Sequence, residues 1–388
     1  MPLSFPGFEV EAELHHGRKR VVFRARRIAD GAEVIVKTLV SEFPPPADTA
    51  GLRREYQILQ GLAIPGVARA LELVSHRDRL ALVLENAGDT TLKLAAAAGP
   101  LSVTTFLSYA RQLAAALGAV HRAGLIHKDV TSTNIIVDRA AGRVTLSDFG
   151  IASRARSEQQ VPGLPHLIEG TLAYMSPEQT GRMNRDLDHR SDLYSLGVVF
   201  YEMLTGRLPF ESPDPLELIH WHVAQAPVPP SVLLPSVPLL LSDLVVRLLA
   251  KNAEDRYQSA EGVEADLFRA EQSWHAAGTI EPFSLAQDDL RDRFTIPQRL
   301  YGRETQVARL LEAFERTTQG RTELVLVSGY SGIGKTALIQ ETYRALARHR
   351  GEYTAGKFDQ LARDIPYSAL TQALQGFVRI LLSETDET

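Results

Sequence analysis

The sequence predicts a bilobal α+β chain, a small β-rich lobe followed by a larger helical one, with the beginning of an α/β domain after it. Three observations carry that reading. Residues 8 to 90 read as strands with one intervening helix. From "TTFLSYARQLAAALGAVHRAG" onward the apolar spacing is mostly helical. Near the C-terminus, "TELVLVSGYSGIGKTALIQETYRALARHR" reads as strand, glycine loop and helix.

Bulk properties set the limits. At 388 residues the chain is too long for one ordinary core, which points to two domains or a large bilobal one. A hydrophobic content of 44% with 23% charged residues is globular. The net charge of −5 gives no polybasic surface for nucleic acid. With no cysteine, disulfides, thiol catalysis and cysteine-based metal sites are all excluded. The start, "MPLSFPGFEVEAEL", is not a secretory signal, and the most apolar window, "SVLLPSVPLLLSDLVVRLLA", carries two prolines, Asp243 and Arg247, so no membrane span is expected. A cytoplasmic protein is the default.

The elements follow in order. Pro44 to Pro46 separate the opening strands from "LRREYQILQGL", a helix with Leu52, Tyr56 and Leu59 on one face. Phe106, Tyr109, Leu113, Leu117 and Val120 form the apolar stripe of a long helix, and Gly124 is placed to end it. Residues 273–299 mix proline with charge as a linker does, and "ETQVARLLEAFERTTQ" then resumes an amphipathic helix near residue 300.

One constellation carries chemistry. A phosphoryl-transfer site needs a lysine for the nucleotide phosphates, two metal-binding side chains and a carboxylate to orient the acceptor hydroxyl. The chain supplies Lys37 in "EVIVKTL", Glu55 in "RREYQIL", Asp129 and Asn134 in "HKDVTSTN", and Asp148 in "SDFG". "HKD" with Asn five residues after its Asp, "DFG" fourteen residues after that Asn, then "GTLAYMSPE" and "SDLYSLGVVFYEMLTGRLPF", give the order of the eukaryotic-type protein kinase signature. Residues 8–272 resemble that family, with an N-lobe over about 8–86 and a C-lobe over about 87–272.

The resemblance implies an α+β bilobal protein-kinase fold and a Ser/Thr protein kinase dependent on ATP and Mg2+. It makes Asp129 the catalytic base, Asn134 and Asp148 the metal ligands, and Lys37 the phosphate-holding ammonium paired with Glu55. Gly17 and Val22 then belong to the loop over the phosphates. Leu84 is the gatekeeper, with the backbone of Glu85 and Ala87 facing the adenine edge. Glu178 and Arg256 are expected to pair, and Asp192 to brace the catalytic loop.

The chain departs from the family at several points. Thr131 stands where most Ser/Thr kinases carry a lysine that contacts the γ-phosphate, a loss of transition-state charge compensation of about 10²-fold in rate. His15, Gly17 and Arg20 fall at the three glycine positions of the phosphate loop, so only Gly17 remains. Arg18, Lys19 and Arg20 bring charge to that tip, either simply solvated or partly replacing the missing lysine. Ile35 narrows the adenine ceiling, and Lys128 replaces an arginine whose planar fork grips phosphate. His127 is expected to be structural. Thr171, in "GTLAY", stands at a position that in the family favours Ser/Thr substrates.

A second motif, G-x-x-x-x-G-K-[ST], falls on Gly329, Gly334, Lys335 and Thr336, with Gly332 inside the loop. Its amides would cradle phosphates, Lys335 would reach the β/γ oxygens and Thr336 would bind Mg2+. The four apolar residues before it are expected to be a buried strand. "LYGRETQVARLLEAF" resembles the entry to AAA-type ATPase domains of the STAND-like group, giving an incomplete α/β P-loop domain over residues 300–388.

Together the two regions resemble the N-terminal part of large bacterial signalling kinases. That implies ATP, a protein substrate with a Ser/Thr acceptor, and downstream signalling domains or partner proteins. Two alternatives stand: a weakly catalytic kinase-like module that senses ATP or docks partners, or a P-loop ATPase regulated by the kinase-like lobes.

Overall fold

The computed structural model describes residues 5–17, 19–41, 43–76, 79–154, 172–180, 187–289, 302–330, 333–340, 342, 354–356 and 367–383. Its strands are β1 (Phe8–His16), β2 (Arg20–Arg27), β3 (Glu33–Leu39), β4 (Ala70–His76), β5 (Arg79–Glu85), β6 (Thr90–Thr91), β7 (Ile135–Asp138) and β8 (Arg143–Leu146). Its helices are α1 (Pro46–Gln60), α2 (Leu92–Ala95), α3 (Val103–Arg122), α4 (Arg190–Thr205), α5 (Pro215–Ala224), α6 (Pro230–Leu233), α7 (Leu239–Leu248), α8 (Ala260–Ala277), α9 (Glu304–Thr318), α10 (Lys335–Gln340) and α11 (Ser368–Ser383). They fall into two compact units, the first drawn from 1–157, 188–209 and 227–293, the second from 158–187, 210–226 and 294–388.

The first unit opens with an antiparallel five-stranded sheet of order β1-β2-β3-β5-β4. Alternation in β2 sends Val21, Phe23 and Ala25 into a core shared with Val34, Val36, Ala81 and Val83. Arg20 and Val22 therefore belong to the opposite face, and Val22 stands directly across from Lys37. The proline run ends at the first residue of α1, where a missing N–H is harmless. Leu52, Ile58 and Leu59 of α1 are buried, and each such side chain contributes about 1.5–3 kcal/mol. Glu55 is buried on the same helix.

The helical part of this unit is built around α3 and α4. Ser102 caps α3 by accepting the Thr105 N–H at 3.1 Å, and Gly124 at φ 76° lies just past its end. The predicted stripe of α3 is buried, and Phe106 meets Phe200 of α4 edge-on at 5.5 Å. Arg256 is wholly buried; its guanidinium donates to the carbonyls of Ala250, Arg190 and Lys251 at 2.7, 3.0 and 3.1 Å. The small sheet β6-β7-β8 lies beside the loop that carries Asp129 and Asn134.

The expected linker is in large part not free chain. α8 extends to Ala277, and Asp289 then accepts the N–H groups of Gln258 and Ser259 at 2.6 and 2.9 Å and the Ser259 hydroxyl at 2.7 Å. Ala286 donates its N–H to Asp266, and Phe283 stacks under Arg269.

In the second unit, Leu172, Phe210, Leu218, Ile219 and Val223 form a small core around α5. Here one expectation is corrected: the apolar residues before the glycine loop form no strand. Leu324 and Leu326 are each 85% exposed and residues 321–330 are irregular. A buried parallel strand draws its hydrogen bonds from neighbours on its flanks, and among the described residues no strand lies alongside this one.

Candidate functional site

Lys37, on the face of β3 turned away from the sheet core, donates from Nζ to both oxygens of Glu55 at 2.8 and 2.9 Å. The same nitrogen lies 2.9 Å from Oδ1 of Asp148. Lys37 is 5% exposed and Glu55 fully buried, so the pair is a desolvated one.

Asp148 sits at φ 61°, a left-handed conformation that aspartate tolerates better than most residues. The next residue, Phe149, is buried against the His127 ring at 4.5 Å, which seats Asp148 from below. Burial pushes the Asp148 carboxyl up, but Lys37, Arg20 and the Gly150 N–H outweigh it and hold the group well below the usual carboxylate range. It is therefore a full negative charge at neutral pH.

Asn134 donates from Nδ2 to the carbonyl of Asp129 at 3.0 Å and to its Oδ2 at 2.8 Å. With its amide nitrogen committed to Asp129, the amide oxygen remains as the donor atom for a cation. Two hard oxygen ligands, Asn134 Oδ1 and the Asp148 carboxylate, suit Mg2+, which takes one or two protein ligands and completes its shell with water and phosphate. Among the described residues no three His, Cys, Asp or Glu side chains cluster as a metal site by themselves.

The loop holding Asp129 is fixed from beneath. Asp192, wholly buried on α4, accepts the His127 N–H at 2.8 Å and the Lys128 N–H at 2.7 Å, and pairs with His121 Nε2 at 2.8 Å. Burial raises its pKa, but those partners overcome it and the net direction is down. His127 accepts the Asp129 N–H at Nδ1, which leaves Nε2 to donate to the Ser147 carbonyl at 3.1 Å. This is the structural histidine the sequence predicts.

Thr131 is 2% exposed. Its hydroxyl bonds the Thr133 hydroxyl at 2.8 Å and accepts the Asn134 N–H at 3.3 Å, forming a turn. It shapes the loop that presents Asn134 and supplies no charge.

One residue in the site has a part that its predicted position does not give it. Arg20, aligned with a glycine position, donates from Nη1 to Asp148 Oδ1 and Oδ2 at 3.0 and 3.3 Å and lies 3.9 Å from Glu55 Oε2. Burial lowers its pKa, yet Asp148 and Glu55 together raise it. Lys19 instead pairs with Asp48 at the surface. The readable signal is the strand alternation of "RVVFRARR", which places Arg20 with Val22 on the Lys37 side of the sheet.

The adenine-facing residues lie in sequence along the end of β5. Leu84 is buried and pairs across the sheet with Ile35, and Glu85 donates its N–H to the Arg69 carbonyl at 3.0 Å. Ala87 lies beyond the ladder. Gly17 turns β1 into β2 by donating to the Arg20 carbonyl at 2.9 Å. Arg18, Thr171 and Gly332 lie outside the described residues.

In the second unit Gly334 leads directly into α10. Lys335 folds back onto the carbonyls of Gly329 and Tyr330 at 2.9 and 2.8 Å, Gly334 takes φ 91°, and Thr336 is exposed in the first turn.

The five-stranded sheet and the helical lobe define a bilobal α+β protein, in which Lys37 bridges Glu55 and Asp148 and the Asn134 carbonyl accepts the Ser147 N–H and hydroxyl. The family model described as protein kinase domain matches residues 8–268, and the chain belongs to that family. A second model, AAA ATPase domain, matches residues 299–388. Similar curated proteins include a hybrid signal transduction histidine kinase G of Dictyostelium discoideum, 39% identical over 57% of this chain and 7% of that protein. A serine/threonine-protein kinase, pkn2, of Myxococcus xanthus is 33% identical over 70% of this chain and 33% of its own length. PknB of Mycobacterium leprae is 33% identical over 68% of this chain and 42% of its own length. The chain thus spans less than half the length of each of these relatives.

Proposed function

We propose that the chain is a Ser/Thr protein kinase that uses Mg2+ and ATP and transfers the γ-phosphoryl group to a protein hydroxyl, with its P-loop region as an attached nucleotide-binding module. The supporting observation is that Lys37 holds both Glu55 and Asp148 while Asn134 holds Asp129, and that the Asn134 carbonyl accepts the N–H of Ser147, the residue before Asp148, at 2.8 Å. Lys37, fixed by Glu55, holds the α/β-phosphates, and Asp129 orients the acceptor hydroxyl and takes its proton. Asn134 and Asp148 would hold Mg2+, which would supply positive charge against the phosphate oxygens. The adenine lies under Val22 and Ile35 and against Leu84, read by the Glu85 carbonyl and the Ala87 backbone.

The preference for Ser/Thr acceptors is supported by relatives named as serine/threonine kinases. In the P-loop region, Gly329, Gly332, Gly334, Lys335 and Thr336 take a second nucleotide's phosphates and Mg2+. Downstream signalling domains or partner proteins receive the output. A cytoplasmic location goes with this reading, since ATP is the phosphoryl donor; among the described residues no helix is long and apolar enough to cross a membrane.

The test is transfer from γ-labelled ATP to a generic basic protein by the full chain. Asp148→Ala and Asp129→Asn are expected to lower transfer by about 10³-fold or more, with Mg·ATP binding retained in Asp129→Asn. Undiminished transfer by both variants overturns the assignment. Thr131 favours a second reading, a weak kinase that senses ATP; Mg·ATP binding by the unaltered chain without transfer would support it.

A further inference from the structure

We propose that Arg20 is the γ-phosphate-contacting cation of this site, delivered from β2 in place of the catalytic-loop lysine that Thr131 replaces. The inference rests on the kinase reading above and names a residue that reading leaves unassigned.

Four observations support it. First, alternation along β2 sets Arg20 on the face that carries Val22, across from Lys37, so its side chain enters the cleft and not the sheet core. Second, its guanidinium reaches Asp148, the proposed metal ligand, at 3.0 Å, within the zone where phosphate oxygens and metal must meet. Third, the pocket admits it for a specific reason. A Cβ at Gly150 would lie 2.6 Å from Nη2 and 2.7 Å from Nη1 of Arg20, so the guanidinium packs where a side chain at position 150 would stand. Fourth, the position that normally supplies the cation is closed, since Thr131 is buried and spent on the turn.

The chemistry fits the role. All of the guanidinium's carboxylate contacts run through Nη1. Its other N–H groups face no carboxylate among the described residues and can grip phosphate oxygens, for which the planar fork is suited. Asp148 would hold the metal through the same oxygens that Arg20 contacts, which would leave the guanidinium to the phosphate. Asp148 and the γ-phosphate are thus alternative partners of one cation.

The test compares the full chain with Arg20→Ala, Arg20→Lys and, as a surface control, Lys19→Ala, by calorimetric titration with Mg·ATP, Mg·ADP and adenosine. For Arg20→Ala the expected result is an Mg·ATP affinity about tenfold weaker, a smaller change for Mg·ADP and none for adenosine. Arg20→Lys is expected to recover part of the loss, and Lys19→Ala to match the unaltered chain. Arg20→Gln, which keeps the alkyl stem but removes the charge, is expected to reproduce the Arg20→Ala pattern and decides the matter should Arg20→Ala not fold. An unchanged ATP-to-ADP affinity ratio in Arg20→Ala or Arg20→Gln overturns the proposal while leaving the kinase reading intact, and so does tighter Mg·ATP binding. Failure of the unaltered chain to bind Mg·ATP at all overturns both.

Discussion

Asp192 accepts the N–H of Lys128 at 2.7 Å, and that bond holds Lys128 at φ 68°, a conformation that side chains of its kind rarely adopt. A strained residue persists only where its surroundings over-determine it. Here the carboxylate grips two consecutive amides, and the strain turns the chain so that Asp129 follows in the right place.

Asp192→Asn is accordingly expected to lower stability at pH 7 by about 2 kcal/mol, because one charge-assisted amide bond is lost and the other weakened. The folded-state pKa of Asp192 is depressed, so its stabilisation is fully present above the ordinary aspartate value of about 4 and fades as pH falls toward the lower folded value. Urea unfolding of both proteins between pH 7 and pH 3 checks this: the gap between them is expected to narrow on the acid side.

Glu55→Gln removes a buried partner that holds Lys37 through both oxygens. Such a break costs about 3 kcal/mol, and the loosened ammonium is expected to lower kcat/KM for ATP by about 10²-fold. Thermal melting and steady-state kinetics on the same preparation report the two effects.

Thr131→Val keeps the shape of the side chain but deletes its turn hydrogen bonds to Thr133 and Asn134. The expected stability loss is about 1 kcal/mol. Because Asn134 is then less well held, the half-saturating Mg2+ concentration is expected to rise by several fold, measured as the Mg2+ dependence of ATP affinity.

Asp289→Ala cuts the bonds that hold the segment after α8 to Gln258 and Ser259. Local opening easier by about 1.4 kcal/mol raises the exposed fraction about tenfold, so chymotryptic cleavage after Phe283 is expected to accelerate by that factor. Cleavage at the rate of the unaltered chain would show that the remaining contacts suffice.

The legible part of this protein was what spacing encodes. Asp129, Asn134 and Asp148 are set by short intervals on one segment, and the stripe of α3 by its helical period, so both could be read from the chain alone. Lys37 and Glu55 were legible through the resemblance to the protein kinase family, which implies their pairing, and the structure shows Lys37 Nζ donating to both oxygens of Glu55. Arg20 was harder: alignment gave it a glycine's position, and only the face of β2 together with side-chain reach shows where its charge goes. The grip of Asp289 had no signal, since an acid bonding amides about thirty residues upstream obeys no period. The strand expected before Gly329 failed for a related reason: its apolar run encodes burial, whereas a strand needs neighbours that the run itself does not specify.

Oδ1 of Asp148 is shared by Lys37 and Arg20, so a single acid of the helical lobe joins two cations of the sheet lobe across the mouth of the cleft. A triphosphate reaching those cations arrives as a substitute anion, and nucleotide entry is an exchange of partners rather than a simple addition. Added salt screens the incoming charge, but it also loosens the latch that must be displaced. Association is therefore expected to depend on ionic strength more gently than for a cleft whose cations hold no such internal counter-charge.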